Sequence, residues 1–120
     1  MKRVFSNREI VLGVTGSIAA YKACELASRL TEYGAKVTPV LTKSACELVG
    51  PATFEAICGR RAITHLFGPL QNPEVEHIAV ALKAHLYLIA PATANFIAKA
   101  AHGIADDWLT TTLLATRAPI

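Results

Sequence analysis

A chain of 120 residues has room for one domain. Hydrophobic residues make up 52% and charged residues 18%, which excludes a disordered chain. The net charge of +3 comes from scattered Lys and Arg with no aromatic-interleaved basic stripe, so the composition gives no support to a nucleic-acid binder.

The opening residues, MKRVFSN, form a short polar lead-in without the long apolar core of a signal peptide, and the expected location is the cytoplasm. Residues 9–14 have the length and β-branched content of a strand. Thr15-Gly16-Ser17 then makes a tight turn, with Gly16 free to take positive φ or to let a ligand near the backbone. The hydroxyls of Thr15 and Ser17 can cap the next helix or hold an anion there. That helix is expected over residues 18–33, with Ala19, Ala23, Leu26, Leu30 and Tyr33 as its buried stripe. Lys22, Glu25, Arg29 and Glu32 take the opposite face, and Gly34 suits the helix end.

A second strand is predicted over 36–41, where Pro39 argues for an edge position or a bulge. Thr42-Lys43-Ser44 closes a second strand-to-helix turn, followed by short helices over 45–49 and 52–58. Residues 62–67 read as a short strand, 68–73 as loop and 75–83 as helix.

The most informative stretch runs from Leu86 to Trp108. Residues 86–90 form a short apolar run with the make-up of a buried strand, and Pro91 stops it because proline gives no N–H to a ladder. Ala92-Thr93-Ala94-Asn95 follow as a small-residue loop, then an alanine-rich helix over 95–102. Asp106 or Asp107 caps a last helix over 108–116. Residues 118–120 look like the start of one more strand.

Strands alternating with helices mean βαβ units, hence a parallel sheet covered on both faces. Ligands of such sheets sit at the carboxyl ends of the strands, where all three turns lie. The first turn reads GVTGS rather than the GxGxxG dinucleotide fingerprint, and Thr42 stands where a ribose-binding carboxylate is usual. A mononucleotide such as FMN fits these turns better, because its phosphate needs hydroxyls and backbone N–H groups. Cys24, Cys46 and Cys58 are odd in number, widely spaced and each within a helical segment, which fits free thiols in a reducing cytosol.

VTGSIAAYKA after the first strand, His77-Ile78, and the run PATANFIAKAAHGIADD together resemble the homo-oligomeric flavin-containing cysteine decarboxylases. In particular, the chain is similar to the phosphopantothenoylcysteine decarboxylase domain of the bifunctional bacterial coenzyme A biosynthesis flavoprotein. Pro91 to Phe96 stands where that family has its PASANT motif. The resemblance implies a Rossmann-like three-layer α/β/α fold, FMN as cofactor, and a trimer or dodecamer with its active site at a subunit interface. It implies decarboxylation of 4′-phospho-N-pantothenoyl-L-cysteine to 4′-phosphopantetheine, with the flavin first oxidising the cysteinyl thiol toward a thioaldehyde.

Carried over residue by residue, His77 matches the family's acid/base histidine, a role suited to imidazole near neutral pH. Gly16 and Ser17 match the first FMN loop, Thr42 and Ser44 lie in the second, and Ala92, Thr93, Ala94 and Asn95 match the third. The choice between Thr42 and Ser44 stays open. Asp106 and Asp107 read as capping or subunit-contact residues, and Ile18, Phe54 and Trp108 as core residues that can also reach a flavin ring. His65, His85 and His102 read as structural or surface residues. The family's PxMNxxMW motif and its lid cysteine have no match in these 120 residues, so the chain is expected to be an incomplete decarboxylase domain. An FMN-binding module without activity, or a relative such as a flavin prenyltransferase, is the alternative.

Overall fold

The computed structural model describes residues 3–64 and 73–120, without the side chains of 73–77. The elements run β1 (Glu9–Val14), α1 (Ala20–Glu32), β2 (Lys36–Leu41), α2 (Lys43–Cys46), α3 (Pro51–Cys58), α4 (Pro73–Lys83), β3 (Leu86–Ile89), α5 (Ala94–His102) and α6 (Trp108–Ala115). The three strands are parallel in the order β2-β1-β3. β1 is therefore central, and the chain winds first to one side of it and then to the other. That reversal puts a topological switch point at the carboxyl end of β1.

Every residue of β1 is buried, as expected of a strand covered on both faces. Ile10, Leu12 and Val14 point into a core shared with Ala20, Ala23, Ala27 and Leu30 of α1 and with Phe54 of α3. Val11 points the other way, into a core with Tyr87, Phe96, Trp108 and Leu109. These two cores make the three-layer α/β/α sandwich that the alternating pattern implies. Phe54 and Trp108 are core residues, whereas Ile18 is 87% exposed.

Most boundaries lie within two residues of expectation, and the exceptions have identifiable causes. α1 starts at Ala20 rather than residue 18, because Ser17 and the two residues after it form a turn in which Ala20 N–H donates to Ser17 O. Its buried stripe is Ala20, Ala23, Ala27 and Leu30, rotated from the expected one. Alanines let the helix lie close to the sheet, and Tyr33, outside the helix as its C-cap, stacks edge-on against Phe5 of the lead-in. α2 begins at Lys43, earlier than the expected residue 45, because Thr42 is its N-cap and its Oγ1 accepts from Ala45 N–H. α4 starts at Pro73, where proline suits a first helical turn.

Of the strand expected over 62–67, Ile63 makes a parallel bridge to Val40, donating its N–H to Pro39 O and accepting from Leu41 N–H. Its later part and most of the loop expected over 68–73 fall outside the described residues. The bridge also explains Pro39. Lys36 and Thr42 donate toward β1, to Arg8 O and Val14 O, so the intervening Pro39 turns its nitrogen to the outer side of β2. On the far side of the sheet, Tyr87 N–H donates to Pro119 O, so the last residues lie beside β3 as a further strand would.

The amino ends of the strands are tied by charge. Glu9, only 8% exposed, receives a two-pronged pair from Arg60 at 2.7 and 3.0 Å, and Lys83 stands 3.3 Å away. Arg60 also donates to Thr38 Oγ1 at 2.9 Å. His85 Nδ1 accepts from Glu9 N–H at 2.8 Å, which gives that histidine a structural role. The hydrogen bonds from Arg60 hold the Glu9 carboxyl below its ordinary pKa of 4.5, against the upward push of burial.

Candidate functional site

Three strand-to-helix turns converge at the carboxyl end of the sheet. After β1 comes the buried Thr15, which borders the cleft between the turns but uses its hydroxyl within the chain. Its hydroxyl donates to Pro91 O at 2.6 Å and accepts from Thr93 N–H at 2.9 Å, stitching the first turn to the third. The peptide bond before Pro91 is cis. Thr93 in turn N-caps α5, its Oγ1 accepting from Phe96 N–H at 3.2 Å.

Gly16 joins the first turn to the second. It does not take positive φ, contrary to one of the two reasons expected for it. A Cβ built on it would collide with Ser44 Cβ and come within 3.1 Å of the Ser44 carbonyl carbon. Close approach of another backbone, not an unusual dihedral, is what demands glycine here. Ser17 turns inward on its own segment: its Oγ accepts from Ala19 N–H at 3.2 Å and orders the entry to α1.

Between these turns opens a cleft of about 450 Å³. That lies within the range of about 300–1,000 Å³ usual for small-molecule sites. Of the residues singled out from sequence, Thr15, Gly16, Thr42, Ser44, Thr93 and Asn95 line it. Ser17, Ala92 and Ala94 do not line it. Ser17 belongs instead to the turn before α1, Ala94 is the first residue of α5, and Ala92 is an exposed part of the third turn. His77 belongs to α4, and its side chain is outside the described residues.

The cleft has further walls that the motifs did not single out as binding residues. Lys43 stands between Thr42 and Ser44, Thr64 follows the Ile63 bridge, and Lys99, Asp106, Asp107 and Thr110 close the α5–α6 side. The sequence reading missed Lys99, although its spacing from Asn95 was a usable signal, since residues four apart share a helix face. Asp107 N-caps α6 in a capping box, its Oδ1 accepting from Thr110 N–H at 2.7 Å. Asp106 instead pairs with Lys99 Nζ at 2.8 Å, and this hydrogen bond raises the pKa of the ammonium. Both aspartates therefore have structural work, as expected, while also facing the cleft.

The donor set suits an anionic, hydrogen-bonding ligand. Among the described residues, the side chains of Lys43, Ser44 and Asn95 make no hydrogen bond within the chain and are available to one. The nine-residue α5 adds the positive end of its dipole beside Thr93. FMN, with a phosphate and a polar ribityl chain, fits this chemistry. The three cysteines do not belong to it. They are free and partly buried, burial raises all three thiols, and Cys58 is pushed up to about 11.

Comparison with known proteins agrees with this geometry. Residues 2–120 match the model of the Flavoprotein family. The chain is 51% identical over 118 residues to the coenzyme A biosynthesis bifunctional protein CoaBC of Bacillus subtilis (strain 168), covering 98% of this chain and 29% of that protein. The chain thus spans less than a third of the length of this curated relative. Among solved structures, the FMN-dependent cysteine decarboxylase SpaF superposes with a TM-score of 0.82 at 37% identity, over 96% of this chain and 66% of that one. A mutant PPC decarboxylase complexed with pantothenoylaminoethenethiol gives 0.73 at 26% identity, over 92% of this chain and 61% of that one. With its switch-point cleft and a family match that runs nearly end to end, the chain belongs to the Flavoprotein family.

Proposed function

We infer that this chain forms the FMN-binding part of a phosphopantothenoylcysteine decarboxylase, which converts 4′-phospho-N-pantothenoyl-L-cysteine to 4′-phosphopantetheine in coenzyme A biosynthesis. The observation that carries this reading is the cleft itself. Gly16, Thr42, Ser44, Thr93 and Asn95, taken from three separate turns, meet around one volume of about 450 Å³ at the switch point. A relative 51% identical that is named for coenzyme A biosynthesis supports the choice of substrate.

In this reading Gly16 keeps the floor of the cleft thin, Ser44 and Asn95 donate to the cofactor, and Thr93 sets the N-terminus of α5 against it. Thr42 Oγ1 already accepts from Ala45 N–H, so Ser44 is the better donor of the two. Bound FMN would supply a two-electron oxidation of the substrate's cysteinyl carbon–sulfur unit, which lets the carboxylate depart as carbon dioxide, and the reduced flavin would then return the two electrons to give 4′-phosphopantetheine. His77 on α4 exchanges the proton near the reacting cysteinyl group, and its imidazole is suited to that at neutral pH.

The working form is a homo-oligomer, a trimer or dodecamer, with the site at a subunit interface. Ile18 at 87% and Tyr21 at 61% exposure, just after the first turn, supply an apolar surface beside the cleft. No helix among the described residues is long and apolar enough to cross a membrane, and three free thiols suit the reducing cytoplasm.

The test is to supply the purified protein with FMN and 4′-phospho-N-pantothenoyl-L-cysteine and follow carbon dioxide and 4′-phosphopantetheine. The His77→Asn variant is expected to keep its flavin and lose turnover. A His77→Asn protein with undiminished decarboxylation would remove His77 from the mechanism.

A further inference from the structure

The cleft has four charged side chains on its walls, Lys43, Lys99, Asp106 and Asp107, and they are not equivalent. Asp107 is committed to the α6 capping box. Lys99 is committed to Asp106 at 2.8 Å, so to a ligand this pair is close to neutral. Lys43 makes no ion pair among the described residues. It lies at the start of α2, between the cap residue Thr42 and Ser44, whose hydroxyl has no partner among the described residues.

Among the described residues, these four charges, which cancel on paper, therefore leave Lys43 as the cation without a partner. An anionic group entering the cleft gains from Lys43, whereas beside the neutral Lys99–Asp106 pair it meets the carboxylate of Asp107. Of the hydroxyl-bearing residues on the walls, Ser44 stands next to Lys43 and has no hydrogen-bond partner among the described residues, so charge and a hydrogen-bond donor coincide there.

We propose that Lys43 is a specificity-determining residue that makes the cleft select a phosphorylated flavin over the same flavin without its phosphate, while Asp106 keeps Lys99 out of that selection. The inference rests on the reading that the cleft takes a flavin. Its substance is the unequal roles of the two lysines. Lys43 sits on the first residue of a short helix and is exposed, so its replacement does not disturb the core.

The experiment titrates FMN and riboflavin separately into the apo protein, following flavin fluorescence at low and at moderate ionic strength. The quantity of interest is the ratio of the two dissociation constants. Lys43→Ala is expected to weaken FMN about fivefold to tenfold at low salt and to leave riboflavin unchanged. The loss is expected to shrink as salt rises, since exposed charges are screened. The double variant Lys99→Met with Asp106→Asn, which removes the neutral pair as a whole, is expected to move the ratio less than twofold. Asp106→Asn, which frees Lys99, is expected to raise the preference for FMN.

An unchanged ratio in Lys43→Ala, or a larger fall in the Lys99→Met, Asp106→Asn double variant than in Lys43→Ala, overturns the proposal while leaving flavin binding intact. Failure of the unsubstituted protein to bind either flavin overturns both this proposal and the reading on which it rests.

Discussion

Replacing Thr15 by Val tests how the fold builds the cleft. The two side chains have nearly the same shape, so at a residue only 1% exposed the change removes hydrogen bonds rather than volume. The hydroxyl's bond to Pro91 O at 2.6 Å and the bond from Thr93 N–H at 2.9 Å are both lost. Pro91 O keeps a weaker bond from Thr15 N–H at 3.3 Å, but Thr93 N–H is left without a partner. One lost hydrogen bond costs about 1 kcal/mol, and an unsatisfied buried donor about 1–3 kcal/mol. The sum is about 2–4 kcal/mol, a drop of about 8–16 °C in melting temperature for a domain of this size. Because Thr93 caps α5, whose first turn faces the cleft, FMN affinity is expected to fall about tenfold as well. Thr15→Ser keeps both bonds and loses one methyl group, costing about 1 kcal/mol with little effect on FMN. Urea unfolding and FMN titration of the two variants decide the matter. A Val variant as stable as the parent, or a Ser variant as impaired as the Val variant, would refute the stitching role.

Gly16→Ala is expected to cost about 1–3 kcal/mol and to impair flavin uptake, because the new Cβ collides with Ser44. Gly50→Ala, which meets nothing within 4 Å, is expected to change stability by less than about 0.5 kcal/mol, and urea unfolding compares the two. Arg60→Met is expected to cost about 2 kcal/mol at pH 7 by leaving Glu9 with Lys83 alone. Since the folded pKa of Glu9 lies below its ordinary 4.5, the stabilisation is present above that pH and fades as pH falls through the folded value. The two proteins should therefore converge in stability in strong acid, and a gap independent of pH from 7 to 3 would contradict the pairing. Asp107→Ala removes the α6 capping box and is expected to cost about 1 kcal/mol, read by thermal unfolding.

The layering was legible in the sequence because strands and helices alternate and because each strand run ends in a breaker or capping residue. Thr42 and Thr93 could be placed at turns because a hydroxyl before an apolar helix is a capping signal. Gly16 was marked for the right position with an incomplete reason: the neighbour that forbids a Cβ is Ser44, 28 residues away, and no local pattern announces it. The same holds for Thr15, whose partners Pro91 and Thr93 are brought near only by the pairing of β1 with β3. Ser17, Ala92 and Ala94 lay close to the cleft in sequence but off its walls, since a turn exposes only some of its residues to any one side. Lys99 and Thr64 were missed because each lies outside the three turns. The helix stripe of α1 was misjudged because alanines on several faces leave the period ambiguous, and the sheet chose Ala20 and Ala27.

The most direct measurement is the visible absorption spectrum of the purified protein during gel filtration, with and without added FMN. An oxidised-flavin spectrum that co-elutes with the protein, at close to one flavin per chain, is the predicted result. A colourless protein that retains no FMN even when it is supplied in excess would contradict the assignment of the switch-point cleft as a flavin site.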